Sequence, residues 1–308
     1  MPSRRERQSL ERIRATIYNQ PRHATWRQSG VPYAATLKGT SVLKFKGGDI
    51  YRRLLGCSRA EYDLLQPLVV QWLALVYQGD EIYEDAQASG QSSAEGGWKQ
   101  RMRDIAEGHG LYEPAVGKEI DELERYYILE GQILLGEVEL TDEVLQDVLR
   151  IRSSDFFSLL GVVFRARGER CTPDYEALLR SLWLLGEIND DLTSYAEDVA
   201  ANSFNTLRLM VWRHGASGAV AGLRALQNKA IADLLGGIRT AGRDALVRMV
   251  SGSEVLPLEH TTGLLRLLPT GVLRALAGTL VRIEMDMLRK IPVPAPIAES
   301  GPLVAATS

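Results

Sequence analysis

From about residue 60 onward, apolar side chains recur at steps of three and four, and the alternating runs expected of strands are almost absent. The pattern predicts an all-α protein. The clearest stripe is Leu64, Leu65, Leu68, Val69, Trp72, Leu73, Val76 and Tyr77, which predicts a helix over residues 61–85. That helix should end in acids, and residues 86–97, rich in Ser, Gly, Gln and Ala, read as a flexible loop after it. Further helices are expected over 118–139 and over 142–165, the latter interrupted only by Ser153 and Ser154.

Pro173 suits a first helical turn and Thr172 can cap it, so another helix should start there and carry Leu178, Leu179, Leu182, Leu185 and Ile188. Helices over 206–213, 219–235, 241–250 and 270–290 follow. Residues 4–18 can form a helix, whereas 19–48 mix Pro, Gly, Thr and aromatics without a firm period and are expected to be mostly irregular. The organisation expected is a single helical domain over 1–291 and a disordered tail over 292–308, where Pro292, Pro294 and Pro296 alternate with small residues.

Composition narrows the function without choosing it. With 36 basic and 39 acidic residues the formal charge is −3, which argues against nucleic acid as a partner and against a membrane-surface role driven by bulk charge, while leaving local patches open. Cys57 and Cys171 are too few for a disulfide framework and lack zinc-site spacing, so a reducing, cytoplasmic location is expected. The basic N-terminus lacks the apolar core of a secretion signal, and no apolar run reaches the roughly 20 residues of a membrane span. Stable membrane insertion is therefore not expected.

Two polar clusters carry the chemistry. Asp80-Glu81-Ile82-Tyr83-Glu84-Asp85 and Asn189-Asp190-Asp191-Leu192-Thr193-Ser194-Tyr195-Ala196-Glu197 each follow an apolar helical segment. Asp80 and Glu84 stand four apart, and so in turn do Asn189, Thr193 and Glu197, so each set lines one face of a helix. Repelling carboxylates near a helix C-terminus are electrostatically costly unless cations offset them. Their oxygens are the hard ligands that Mg²⁺ uses alongside water and substrate phosphates. Opposed across a bundle, two such faces could clamp a diphosphate leaving group while the apolar stretches hold a hydrocarbon. Taken alone, an acidic helix end is more often solvated surface.

These residues resemble those of class I isoprenoid synthases, the superfamily of trans-prenyltransferases and ionisation-initiated terpene synthases. Residues 80–85 resemble its aspartate-rich DDxxD motif, with Glu81 and Glu84 in place of Asp. Asn189, Thr193 and Glu197 match the terpene synthase triad (N/D)Dxx(S/T)xxxE at each ligand position, and Asp191 departs where an aliphatic residue is more usual. Gly131-Gln132 followed by Glu137 and Glu139 is similar to the prenyltransferase GQ segment. Arg152-Ser153-Ser154-Asp155-Phe156-Phe157 is similar to its lysine-threonine-x-x-x-Phe segment with arginine for lysine, and Asn205 and Leu209 resemble the helix after the triad. The likeness covers about residues 61–214.

The resemblance implies a helical bundle around a central apolar cavity and three Mg²⁺ ions. Asp80, Glu84 and Asp85 from the first motif and Asn189, Thr193 and Glu197 from the second would be ligands, and Arg152 would sense the diphosphate. Phe156, Phe157, Tyr77 and Trp183 would line the pocket, where aromatic faces can stabilise carbocations. An elongating prenyltransferase needs contacts to a second diphosphate, but the stretch Lys38-Gly39-Thr40-Ser41-Val42-Leu43-Lys44 only faintly resembles the family's Gly-Lys-x-x-Arg segment. No Arg or Lys follows Asp85 in 86–91.

A terpene synthase acting on one isoprenoid diphosphate is the implied function. Leu75 and Val76 stand where related enzymes use aromatics to shorten the pocket, which favours a C20 substrate, geranylgeranyl or copalyl-type, over C15. The alternatives are a short-chain trans-prenyl diphosphate synthase and a non-catalytic partner subunit of one. Homodimers are common among such enzymes.

Overall fold

The computed structural model describes residues 4–18, 30–43, 48–253 and 262–298. Among them every regular element is helical and there is no strand, as the periodicity predicts. The helices are α1 (Arg4–Ile13), α2 (Tyr33–Ser41), α3 (Gly48–Leu54), α4 (Arg59–Ala88), α5 (Trp98–Gly108), α6 (Pro114–Leu134), α7 (Asp142–Ile151), α8 (Ser154–Ala166), α9 (Pro173–Ala200), α10 (Thr206–Thr240), α11 (Arg243–Gly252), α12 (Thr262–Leu265) and α13 (Thr270–Leu288), with a π turn at Arg14–Tyr18. By its internal packing the chain divides into two compact units. The first comprises 1–86, 93–127 and 154–171, and the second 87–92, 128–153 and 172–308.

The first unit is organised around α4. A capping box starts this helix: the Ser58 amide donates to Glu61 Oε2 at 2.8 Å, and the Glu61 amide to Ser58 Oγ at 3.3 Å. Glu61 is buried and is met by Arg167, whose Nε lies 3.3 Å from Oε1. Pro67 removes one helical donor, but both Pro67 and Asp63, the residue four before it, are exposed, so the freed carbonyl can take water. Leu65, Val69, Trp72, Leu73 and Leu75 bury the inner face, and the Trp72 indole N–H donates to Ser158 Oγ at 2.9 Å. Gly79 then lets the rings of Trp98 and Tyr127 rest on the α4 backbone, since a Cβ there would sit 2.9 Å from Trp98 and 3.0 Å from Tyr127.

The second unit is organised around the antiparallel-connected pair α9 and α10. A Cβ at Gly237 would meet Leu178 Cδ2 at 2.8 Å, so the glycine permits a close approach of these two helices. Gly215 adopts φ 69° and ψ 163° and breaks α10 into two straight runs, corresponding to the separate helices expected over 206–213 and 219–235. Asn205 caps the first run, its Oδ1 accepting from the amides of Leu207 and Arg208.

Several boundaries differ from the sequence expectation. The helix expected over 142–165 is two, because the chain turns at Arg152 and Ser153 between α7 and α8. The loop expected over 86–97 begins only after Ala88. Thr172 holds the N-cap position of α9 without a side-chain cap bond; Asp174 Oδ1 instead accepts from the Tyr175 amide at 3.0 Å and its Oδ2 from the Gly242 amide at 2.7 Å. In the stretch expected to be irregular, Tyr33–Ser41 is helical, while 19–29 and 44–47 lie outside the described residues. Of the tail, 292–298 carry no regular secondary structure and the Ile297 amide donates to the Tyr195 hydroxyl at 2.9 Å; residues 299–308 lie outside the described residues.

Candidate functional site

In the first unit the acidic motif occupies the last turns of α4. Asp80 does not stand alone: Lys38 Nζ, reaching from α2, lies 2.8 Å from Asp80 Oδ2 and 4.8 Å from the centre of the Tyr77 ring. Burial lowers the Lys38 ammonium, but Asp80, Glu84 and Glu81 outweigh it and hold its pKa above the ordinary lysine value. Glu84 exposes much of its surface, yet its carboxyl is held above the usual glutamate range. Partial burial is the first cause; repulsion from Asp80, Glu81 and Asp85 adds to it, and Lys38 opposes it. Lys38 thus faces several carboxylates of the cluster at once and pairs directly with Asp80.

Around this cluster, Leu75 and Val76 are fully buried in the first unit and Tyr77 is half-buried beneath Lys38. The Tyr127 hydroxyl donates to the Val76 carbonyl at 2.9 Å, and Tyr127 stacks on Tyr83 with ring centres 5.3 Å apart. Burial, then the charge of Glu124, push the Tyr83 phenol up to about 12. Phe156 and Phe157 are buried on α8 and meet edge to face at 5.3 Å, and Tyr51 packs edge-on against Phe156 at 5.9 Å.

In the second unit α9 presents Asn189, Thr193 and Glu197 on successive turns, roughly 6 Å apart along the axis. Asn189 is buried, and its Oδ1 has no hydrogen-bond partner in the structure. An orphaned acceptor of this kind costs about 1–3 kcal/mol. Thr193 and Glu197 are exposed; the Thr193 hydroxyl donates to the Asp190 carbonyl at 2.7 Å, which leaves its oxygen lone pairs directed elsewhere. Trp183 lies half-buried earlier on the same helix.

Arg152 is held by Asp191, a pairing that residue spacing does not foretell. Asp191 takes its guanidinium bidentately, with Nη1 to Oδ2 at 2.7 Å and Nη2 to Oδ1 at 2.8 Å. The same carboxylate accepts from the Thr206 amide at 2.8 Å and the Thr206 hydroxyl at 2.5 Å. Phe204 stacks against the guanidinium at 4.9 Å. Asn205 closes the knot, its Nδ2 donating to the Asp191 carbonyl at 2.7 Å and to Asp198 Oδ2 at 2.8 Å. Asp191, anomalous in sequence, is therefore the anchor that joins the α7 end to α9 and to the start of α10.

No family model, curated protein or solved structure matches this chain.

The donors are nonetheless chemically suited to a hard divalent cation. The Asn189 Oδ1 is an oxygen acceptor without a hydrogen-bond partner, and Asp80 and Glu84 add carboxylate oxygens of the kind such a cation takes. In the first motif the fit requires Lys38 to yield Asp80. Among the described residues no cluster of three or more His, Cys, Asp or Glu side chains forms a metal centre by itself. The second motif offers one carboxylate together with an amide and a hydroxyl, a set that would need water or phosphate oxygens to complete a coordination shell.

Proposed function

We propose that this chain is a class I terpene synthase that ionises a C20 allylic diphosphate, geranylgeranyl or copalyl-type, releases diphosphate and guides the carbocation to deprotonation or water capture. The proposal includes the helical fold of that superfamily. The observation that carries it is the buried, unpartnered Oδ1 of Asn189 at the head of an Asn-Thr-Glu series spaced by helical turns. A structural asparagine at that depth would be expected to have its acceptor satisfied.

Bound Mg²⁺ would supply the positive charge that stabilises the departing diphosphate. On this reading Asp80, Glu84 and Asp85 would hold metal through carboxylate oxygens, and Asn189, Thr193 and Glu197 would be ligands through amide, hydroxyl and carboxylate oxygens. Arg152, kept in one orientation by Asp191, donates to the diphosphate from a fixed pose rather than searching rotamers. Leu75, Val76, Tyr77, Phe156, Phe157 and Trp183 contact the hydrocarbon.

The test is incubation of purified protein and Mg²⁺ with C10, C15, C20 and copalyl-type diphosphates, followed by measurement of released diphosphate and extracted products. A C20 substrate should yield a hydrocarbon or alcohol, and Asn189→Ala or Asp80→Ala should slow release by about a hundred-fold or more. Turnover insensitive to chelator, or no release from any substrate, would overturn the proposal. A longer diphosphate made only when isopentenyl diphosphate is added would instead identify a chain-elongating enzyme.

A further inference from the structure

Each unit brings a cation to the neighbourhood of its polar motif, and the two cations are held differently. Arg152 is clamped: its guanidinium makes two bonds to the Asp191 carboxylate, and the side chains of the pair are only 18 and 4 % exposed. Lys38 meets Asp80 through Nζ and Oδ2 at 2.8 Å, with side chains 42 and 27 % exposed. Solvated lysine–carboxylate pairs of this kind favour contact over separation by at most about five-fold, so the bond opens readily.

The fold nevertheless delivers this ammonium to the motif. Ala35 and Gly39 are the buried residues of α2, and a Cβ at Gly39 would lie 3.2 Å from the Ala74 amide nitrogen, so the α2 backbone rests directly on α4. Asp80 lies less than two turns further along α4, and the flexible stem of Lys38 covers the interval. Asp80, Glu84 and Glu81 together keep the ammonium charged. The Tyr77 ring, 4.8 Å from Nζ, offers it a second favourable seat when the carboxylate is withdrawn. A divalent cation seated on the Asp80 carboxylate and an ammonium 2.8 Å from that same group carry like charge, so the two exclude one another.

We propose that Lys38 is a built-in competitor for the first acidic motif, an ammonium that holds Asp80 until a divalent cation displaces it. The inference rests on the metal-binding reading of Asp80 given above, and adds that loading this motif is an exchange of one cation for another. Arg152, clamped by Asp191, takes no part in such an exchange.

Amine labelling and metal titration decide it, with Mn²⁺ as the probe. Under trace acetic anhydride, Lys38 of the wild type should acetylate slowly, and Mn²⁺ should raise its rate by up to about five-fold relative to the exposed Lys229. Asp80→Asn should label Lys38 at the faster rate whether or not Mn²⁺ is present. In titrations followed by electron paramagnetic resonance, Lys38→Met should bind Mn²⁺ about five-fold more tightly than the wild type, and the gain should vanish in the Asp80→Asn background. Circular dichroism checks that the variants fold, and labelling of the wild type needs no variant. Asp80-dependent Mn²⁺ binding that leaves Lys38 labelling unchanged, or that is no tighter in Lys38→Met, would overturn this inference and leave the metal reading standing. Mn²⁺ binding that is absent, or indifferent to Asp80→Asn, would remove both.

Discussion

Removing the Asp191 carboxylate should destabilise the second unit far more than an average substitution. The side chain is 4 % exposed, and it accepts four hydrogen bonds, two from Arg152 and two from Thr206. Asp191→Ala leaves a half-buried guanidinium and the Thr206 amide without their acceptor. Breaking a buried ion pair from one side costs about 3–5 kcal/mol. Asp191→Asn keeps the shape but turns an amide N–H₂ toward one of the donors, so it should recover only part of that loss. Replacing both partners, Asp191→Leu with Arg152→Met, removes the stranded charge and should restore most of the stability, giving a large coupling in the double-mutant cycle. Denaturant unfolding combined with hydrogen exchange on peptides from α9 and α10 would localise the effect. A cost below about 1 kcal/mol for Asp191→Ala, the range of an exposed pair, would refute the anchoring role.

Three further outcomes follow from local geometry. Gly79→Ala gains helix propensity yet should destabilise the first unit by about 1–3 kcal/mol, because its Cβ would sit 2.9 Å from Trp98; thermal unfolding that is unchanged or improved would show that the ring can move aside. Lys38→Met removes the cation that opposes the elevation of Glu84, so the Glu84 carboxyl should titrate at a still higher pH in carboxyl-resolved NMR, and an unmoved titration would sever the link between the two. Burial lowers the His109 imidazole below its ordinary 6.5, outweighing its contact to the Thr16 carbonyl at 2.9 Å. The unfolded chain then binds the proton more readily, so stability should fall as pH drops from the ordinary histidine value through the lower folded one. His109→Gln should flatten that part of the stability profile.

The elements most legible in sequence were those with a long one-sided stripe. The run from Leu64 to Tyr77 locates α4, and Leu178 to Ile188 locates α9, because burying such a face leaves few alternatives. The nine-residue α2 was illegible, since Thr36, Gly39, Thr40 and Ser41 are weak helix formers and its place is fixed by packing: a Cβ at Gly39 would lie 3.2 Å from the Ala74 backbone. The clusters around Asp80 and Asn189 could be read from spacing alone, but their electrostatic partners could not. Lys38 lies 42 residues from Asp80 and Arg152 lies 39 from Asp191, separations at which pairing is a matter of tertiary structure. Thr172 shows the converse: the residue type was right for a cap, but the hydrogen bonds at that helix start run through Asp174.

The left-handed residue at Gly215 has a consequence for engineering. It is solvent-exposed, and a Cβ there would meet no neighbour within 4 Å. The two rods of α10 therefore keep independent angular phase, and an added loop at this joint need not rotate the side chains on either flank. A short reporter peptide spliced in after His214 would test that tolerance while leaving the Asn205 cap and the Gly237 contact in register.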